Sequence, residues 1–237
     1  MSGEIEGARY AIYHAPADDT ALGRFGRYWF DGDGPPDLPG FTREQLVEAQ
    51  ASARHYGFHA TIRAPFTPAP GCGEAELRAA LNAFAASQSP LTLAPLRPAA
   101  LGAYLTLQPG EPAPALVDMA AACLRAFEPL RAPLDEADMA RRRQSRLTPR
   151  QDELMQQWGY PYVMEEFRFH MTLAGPLKHD ERDCLLNALG AACAELVATP
   201  FVLDRLSLCY QPGRSAPFAV VATAEFGGRD RHRGVTE

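Results

Sequence analysis

Two histidine–threonine pairs stand in closely similar contexts in this chain. His59 and Thr61 lie in YGFHATIRAP, and His170 and Thr172 lie in FRFHMTLAGP. Because imidazole titrates near a pKa of about 6.5, one histidine can accept a proton at neutral pH while the other donates one. Threonine hydroxyls can donate hydrogen bonds to anionic oxygens. This set of groups suits in-line displacement at phosphorus, with a general base, a general acid and two phosphate-binding hydroxyls.

A metal centre is the alternative use of two histidines, since imidazole also binds zinc. The alternative is not favoured, because no Cys, Asp or Glu lies on the same strand face near either histidine. The five cysteines are odd in number and contain no C-x-x-C spacing. They therefore argue against a zinc knuckle or a disulfide framework and fit a reducing cytoplasm. The sequence predicts neither a metal nor a cofactor.

Alternating hydrophobic and small or polar residues predict a strand through each motif, the second spanning Phe167–Leu173. Side chains two apart on a strand share a face. This parity places Arg63 with the first motif and Arg168 with the second. A guanidinium fork suits a phosphate, so both arginines are candidate substrate-binding residues. The alternative is that they extend from the strand ends into solvent.

The context of the two motifs repeats as well as the motifs themselves. The Phe, His, Thr and Pro of the first stretch recur at a constant offset of 111 residues. After each motif the patterns predict a helix and then two strands: GEAELRAALNAFAAS, PLTLAPLRPAAL and AYLTLQP in the first half, and DERDCLLNALGAACAEL, PFVLDRLSLCYQ and PFAVVATAEF in the second. This order indicates an internal duplication of a strand–helix–strand–strand unit.

Capping signals predict two helices that are not part of this repeat. Thr42, followed three residues later by Gln45, marks the start of one helix that ends near Gly57. Thr148 precedes Pro149 and completes a capping box with Gln151, which predicts a second helix.

Two further features are candidates for substrate contact. Tyr10 and Tyr13 lie on opposite faces of a predicted strand, so at most one can line a cleft, and Tyr10 is taken as the candidate for stacking on a base or sugar. A run of arginines precedes the second motif. Such a run is usually a solvated helix face, but its position also suits phosphate recruitment, with Arg143 as the candidate. The run comprises Arg141, Arg142, Arg143, Arg146 and Arg150.

Composition excludes several classes of protein. The net charge is −6, whereas broad nucleic-acid-binding faces are strongly basic, so DNA is not an expected partner. The start of the sequence has no basic, apolar signal-peptide pattern, and no stretch approaches a membrane span. We therefore expect a cytoplasmic protein that does not bind membranes, with 46% hydrophobic residues for its core.

The paired motifs FHAT and FHMT resemble the His-x-Thr signature of the 2H phosphoesterase superfamily, which includes RNA 2′,3′-cyclic phosphodiesterases. The stretches RYAIYHAP, RRRQSRLTPRQ and WGYPYVMEEFRFHMTLAGPL also resemble a branch of it named for phosphonate metabolism. The resemblance implies an α+β, bilobal, duplicated fold whose antiparallel-rich sheets form a central concave cleft. It implies one bilobal domain over residues 1–227, with halves near 8–110 and 160–227, a helical connection over 111–159 and a flexible tail over 228–237.

The resemblance further implies that His59 and His170 transfer protons and that Thr61 and Thr172 bind phosphate. Which histidine is the base stays open. The leading hypothesis is a metal-independent phosphoesterase that hydrolyses a small cyclic phosphodiester, a nucleotide or ribose cyclic phosphate. One alternative is an enzyme acting on the 2′,3′-cyclic phosphate of short RNA ends, which the acidic composition disfavours. The other is a non-catalytic module that binds a phosphorylated ligand.

Overall fold

Nine β-strands and eight α-helices form an α+β structure in the computed structural model, which describes residues 7–30 and 38–227. The strands are β1 Arg9–His14, β2 Ala60–Phe66, β3 Leu91–Leu93, β4 Leu96–Leu101, β5 Tyr104–Pro109, β6 Met171–Ala174, β7 Phe201–Leu203, β8 Arg205–Gln211 and β9 Ala219–Glu225. The helices are α1 Ala21–Phe30, α2 Arg43–Tyr56, α3 Glu74–Ala86, α4 Pro114–Phe127, α5 Glu136–Arg143, α6 Pro149–Trp158, α7 His179–Ala192 and α8 Ala194–Ala198.

Seven strands form one antiparallel sheet in the order β4-β5-β6-β2-β1-β8-β9. The two motif strands, β2 and β6, are neighbours at its centre. The strand pair β4–β5 of the first sequence half flanks the second motif strand, whereas β8–β9 of the second half pairs onto β1. The two repeats therefore exchange their strand pairs, and β3 and β7 form a small second sheet across them. The α+β, duplicated, antiparallel fold class is confirmed; the division into lobes at 8–110 and 160–227 stays a prediction.

The capping predictions hold at both helices. The Thr42 side chain accepts from the Gln45 amide at the start of α2, and Thr148 does the same with Gln151 at the start of α6. Gly159 ends α6 in the left-handed region, with φ of 78°, which glycine adopts at little cost.

Some element predictions need correction. Each predicted pair of strands forms three, because PLTLAPLRPAAL divides into β3 and β4 and PFVLDRLSLCYQ divides into β7 and β8. The helix predicted over DERDCLLNALGAACAEL is interrupted at Cys193, between α7 and α8. The second motif strand starts at Met171 rather than Phe167, since the preceding segment contains a 3₁₀ turn at Met164–Glu166. The predicted tail 228–237 lies outside the described residues. So do residues 31–37, which belong to DGDGPPDLPG (Asp31–Gly40), a stretch whose glycines and prolines predict a loop.

One face of the large sheet is covered by helices. The apolar sides of α1, α2, α3, α4 and α7 meet alternate residues of the strands in the main core, which includes the fully buried Trp29, Leu46 and Leu77. We call this the helix face. The opposite face has a small cluster of Ala11, Tyr13 and Cys209, and we call it the cleft face. Within the described ranges, no helix has the length and apolarity that crossing a bilayer requires.

His14 is a titratable group inside the main core. It is 3% exposed, its ring lies 5.4 Å from that of Phe201, and its Nδ1 is 3.3 Å from the Arg205 carbonyl oxygen. Burial lowers the pKa of His14 to about 4, because the charged imidazolium loses its hydration.

The folded protein is therefore expected to lose stability in mild acid. As the pH falls below about 6.5, the unfolded chain protonates His14 while the folded protein does not, until the pH reaches about 4. Between these values His14 alone should lower the free energy of unfolding by about 3 kcal/mol. Urea unfolding at pH 7 and pH 4.5 measures this, and His14→Leu should have a smaller acid loss than wild type. Equal losses in both proteins would contradict this account of His14.

Candidate active site

The two motifs meet at the centre of the large sheet. Ala60 of β2 pairs with Met171 of β6, and both side chains are fully buried on the helix face. Their neighbours in sequence point to the opposite, cleft face. Extending the antiparallel register by one residue sets His59 across from Thr172 and Thr61 across from His170. Residues directly opposite on such strands have Cβ atoms about 4.5–5.5 Å apart.

Each motif histidine is held in the same way by the backbone before it. His59 Nδ1 lies 3.0 Å from the Gly57 carbonyl oxygen, and His170 Nδ1 lies 2.8 Å from the Arg168 carbonyl oxygen. Since a carbonyl oxygen only accepts hydrogen bonds, these contacts assign the proton to Nδ1 in both rings. The Nε2 atoms are left for proton exchange, and the Thr61 hydroxyl lies 3.4 Å from Nε2 of His59.

Tyr13 of β1 covers one side of the His59 imidazole. The two rings stack with centroids 3.9 Å apart and an interplanar angle of 20°, and Tyr13 is 4% exposed. Burial lowers the pKa of His59 to about 4, with a smaller contribution from the nearby His170. Burial also raises the pKa of the Tyr13 hydroxyl. His59 is therefore neutral at physiological pH, which suits a proton acceptor.

A cleft of about 500 Å³ opens beside the motifs. Thr61, His170 and Arg168 line it, so the structure brings these three predicted residues together. Arg168 is exposed at its rim. Polar and aromatic residues from elsewhere in the chain are also part of the lining: Tyr104, Gln151, Tyr160, Tyr162 and Glu166. A volume of this size accommodates a nucleotide or a sugar phosphate.

Arg63 does not lie in this cleft, contrary to the parity argument. Tyr13 is paired with Thr61 and Ile12 with Arg63, so two residues of β2 oppose one of β1. The bulge reverses the alternation after Thr61. Arg63 is 2% exposed, donates to the Leu124 carbonyl oxygen at 2.9 Å and forms an ion pair with Glu128 at 3.0 Å. It ties β2 to the end of α4.

Two other predicted residues also lie elsewhere. Tyr10 is buried in the main core on the helix face, with its ring 5.1 Å from that of Tyr210. Arg143 is exposed and forms a forked ion pair with Asp152 at 2.7 Å. Tyr13, the tyrosine of opposite parity, is the one beside His59. Strand alternation in the sequence correctly indicates that at most one of Tyr10 and Tyr13 can face the cleft. It does not indicate which of the two strand faces that is.

The chain belongs to a family described as a protein of unknown function, DUF1045, which matches residues 61–219. Its curated relatives include two proteins named ribose 1,5-bisphosphate phosphokinase PhnN. The one from Janthinobacterium sp. (strain Marseille) is 36% identical over 93% of this chain and 51% of its own length. The one from Laribacter hongkongensis (strain HLHK9) is 33% identical over 89% of this chain and 50% of its own. The chain therefore spans about half the length of these relatives.

A solved structure, that of E. coli LigT complexed with 3′-AMP, is similar over 93% of this chain and 99% of the other, with a TM-score of 0.42 and 13% identity.

Tyr13 is expected to set the pKa of His59, because its ring keeps water from the imidazole. In Tyr13→Ala the midpoint of His59 protonation should rise from about 4 towards about 6.5. Histidine-detected NMR titration measures the midpoint. The control is Tyr28→Ala, which removes an exposed tyrosine of α1. A His59 midpoint that is the same in wild type and Tyr13→Ala would show that the stacked ring does not control it.

Substitutions of Arg63 and Arg168 should have different effects on the stability of the folded protein. Arg63→Gln removes a buried guanidinium together with its bonds to Glu128 and to the Leu124 carbonyl oxygen, and it should lower the free energy of unfolding by about 1.5–3 kcal/mol. Arg168→Gln changes an exposed side chain and should alter it by less than about 0.5 kcal/mol. Urea denaturation compares the two directly. Equal effects on stability would contradict the assignment of Arg63 to the interior.

Proposed function

We propose that this protein is a metal-independent phosphoesterase that opens a small cyclic phosphodiester, a nucleotide or ribose cyclic phosphate, by two-histidine acid–base catalysis. The observation that carries the proposal is the matched presentation of His59 and His170. Both precede adjacent central strands, and both donate Nδ1–H to the carbonyl two residues earlier. Both therefore present Nε2 for proton exchange. Binding alone has no need of two oriented proton-transfer groups.

The hydrolysis needs one base and one acid on opposite sides of phosphorus. The base Nε2 takes a proton from water, whose oxygen attacks phosphorus. One ring P–O bond breaks, and the acid imidazolium gives its Nε2 proton to the departing sugar oxygen. The product is a phosphomonoester next to a free hydroxyl. Thr61 and Thr172 donate hydrogen bonds to the non-bridging oxygens, where charge accumulates.

The two histidines take different roles in this proposal. Burial keeps the pKa of His59 at about 4, so His59 is neutral and acts as the base. His170, at the open cleft, acts as the acid. The ratio kcat/KM should fall as the pH drops through about 4, where His59 becomes protonated.

The names of the relatives support a ribose phosphate as the substrate class and a link to phosphonate metabolism. Both are named for ribose 1,5-bisphosphate, and each joins a segment like this chain to a further segment of similar length. The kinase activity in that name is not proposed for this chain. Its single lysine, Lys178, is followed by His179. The phosphate-binding loop G-x-x-x-x-G-K-S/T of many nucleotide-dependent kinases is therefore missing from the sequence.

The proposal is tested with purified protein and chelator, using nucleoside 2′,3′-cyclic phosphates, a ribose cyclic phosphate and a short RNA with a cyclic end. Wild type should open the small substrates. His59→Ala and His170→Ala should each lower kcat by about 10²–10⁴-fold, since each removes one proton-transfer group. The control is His55→Ala, which changes an exposed histidine of α2. It should behave as wild type.

Each alternative predicts a different outcome of this assay. A strong preference for the RNA end would favour the RNA-processing alternative. Full activity in both histidine variants would contradict the two-histidine mechanism. If the wild type binds these ligands but does not turn them over, the non-catalytic module is favoured. In the part of the chain that the structure describes, no three His, Cys, Asp or Glu side chains come together as potential metal ligands. Activity lost to chelator and restored by a divalent metal would nevertheless overturn the metal-free mechanism.

A further inference from the structure

A second, smaller pocket lies beside the catalytic cleft, and arginines supply most of the charged residues in its lining. It encloses about 20 Å³, comparable to the space that one or two water molecules require, so it takes a small group rather than a ring. Five arginines and one aspartate are among its lining residues. The charged members are Arg9, Arg63, Arg131, Asp138, Arg142 and Arg214.

The positive charges of this pocket exceed the carboxylates near them. Glu128 forms ion pairs with both Arg63 and Arg131, at distances of 3.0 and 2.6 Å. Asp138 likewise forms ion pairs with Arg141 and Arg214, each at 2.5 Å. The excess positive charge is a feature that an anion would neutralise.

Arg142 is a residue of the arginine run whose side chain packs against the rest of the protein. Its guanidinium lies over the Tyr160 ring, 5.3 Å from the centroid. Its Nε is buried and lacks a hydrogen-bond partner, and no ion pair or side-chain hydrogen bond reaches this arginine from the described residues. A buried, unpartnered guanidinium nitrogen is costly, and a ligand oxygen would relieve that cost.

Arg9 faces Arg142 and Arg214 without a carboxylate of its own in the described ranges. Its Nε donates to Gln211 Oε1 at 2.9 Å, which leaves its charge uncompensated. Burial lowers the pKa of Arg9, and repulsion from Arg214 and Arg142 adds to the effect. The cluster thus holds several guanidinium groups close together despite their mutual repulsion.

The arginine pocket and the catalytic cleft are adjacent, because Ala64 and Tyr160 line both of them. Arg9 also lies on the cleft face of β1, four residues before Tyr13, which stacks on His59. Four strand residues span about 13 Å, and an arginine side chain extends over part of that distance. One small molecule can therefore contact both sites.

We propose that this pocket binds a second anionic group of the substrate, a phosphomonoester, and that the preferred substrate is a sugar carrying both a cyclic phosphodiester and a terminal phosphate. Arg142, Arg214 and Arg9 bind the terminal phosphate while the histidines act on the cyclic one. The assignment of the substrate rests on the function proposed above. The anion site itself does not.

The site is tested first by binding, without catalysis. Ribose 5-phosphate and ribose are titrated calorimetrically into wild type and into the His59→Ala, His170→Ala double variant. Both proteins should bind the phosphate and not the free sugar. Arg142→Gln and Arg214→Gln should weaken binding by about 10- to 100-fold, as expected for the loss of a charged hydrogen-bond donor. Arg142→Lys should retain part of the affinity, because it retains the charge.

Arg146→Gln is the matched control for these variants. It removes the same charge from an exposed residue of the same arginine run and should bind ribose 5-phosphate like wild type. Urea unfolding of each variant confirms that it is folded. Equal affinity in Arg142→Gln and Arg146→Gln, or no binding by wild type, would overturn the anion site.

Substrate preference is tested next by kinetics. Adenosine 2′,3′-cyclic phosphate is compared with the same compound carrying a 5′-phosphate. Wild type should show at least about 10-fold higher kcat/KM with the second, through a lower KM, and Arg142→Gln should lose this preference. Equal kcat/KM for the two would overturn the substrate assignment. Arginine-dependent binding of ribose 5-phosphate without turnover of either compound would refute the proposed function while leaving the anion site standing.

Discussion

The pairing of Ala60 with Met171 is the constraint on which the rest of the site depends. It joins the two central strands, and its two buried side chains fix which face of each strand points away from the helices. Once this is set, His59 and His170 have no freedom to face the core. A slip of either strand by one residue would turn the histidine of that strand inward. The hydrophobic core of the helix face thus specifies the register that assembles the polar cleft face.

Duplication explains how two distant segments supply equivalent groups, but the environments of those groups are unequal. Tyr13 stacks on His59, whereas none of the ring contacts found among the described residues involves His170. Because an imidazole that has lost part of its hydration resists protonation, His59 is kept neutral while His170 remains beside the open cleft. Acid–base catalysis requires such a difference between two otherwise equivalent histidines.

The sequence predicted the parts of this site that depend on short-range periodicity. Alternation put each His with its Thr, and the repeat indicated two equivalent units. It failed at Arg63, since a bulge between Thr61 and Arg63 reverses the alternation and leaves no mark in the residue pattern. Its candidate Arg143 pairs with Asp152, whereas Arg142 of the same helix lies over the Tyr160 ring. The exchange of strand pairs between the halves is a long-range pairing, which local patterns do not contain.

In the proposed mechanism, both histidines act on one phosphorus from opposite sides. Nitrogen-15 NMR of the imidazoles, during titration with a uridine–vanadate complex that mimics the in-line displacement geometry, tests it most directly. The Nε2 signals of His59 and His170 should shift together with a single midpoint, while both Nδ1 atoms stay protonated. A response from only one histidine, or two separate midpoints, would contradict a shared site.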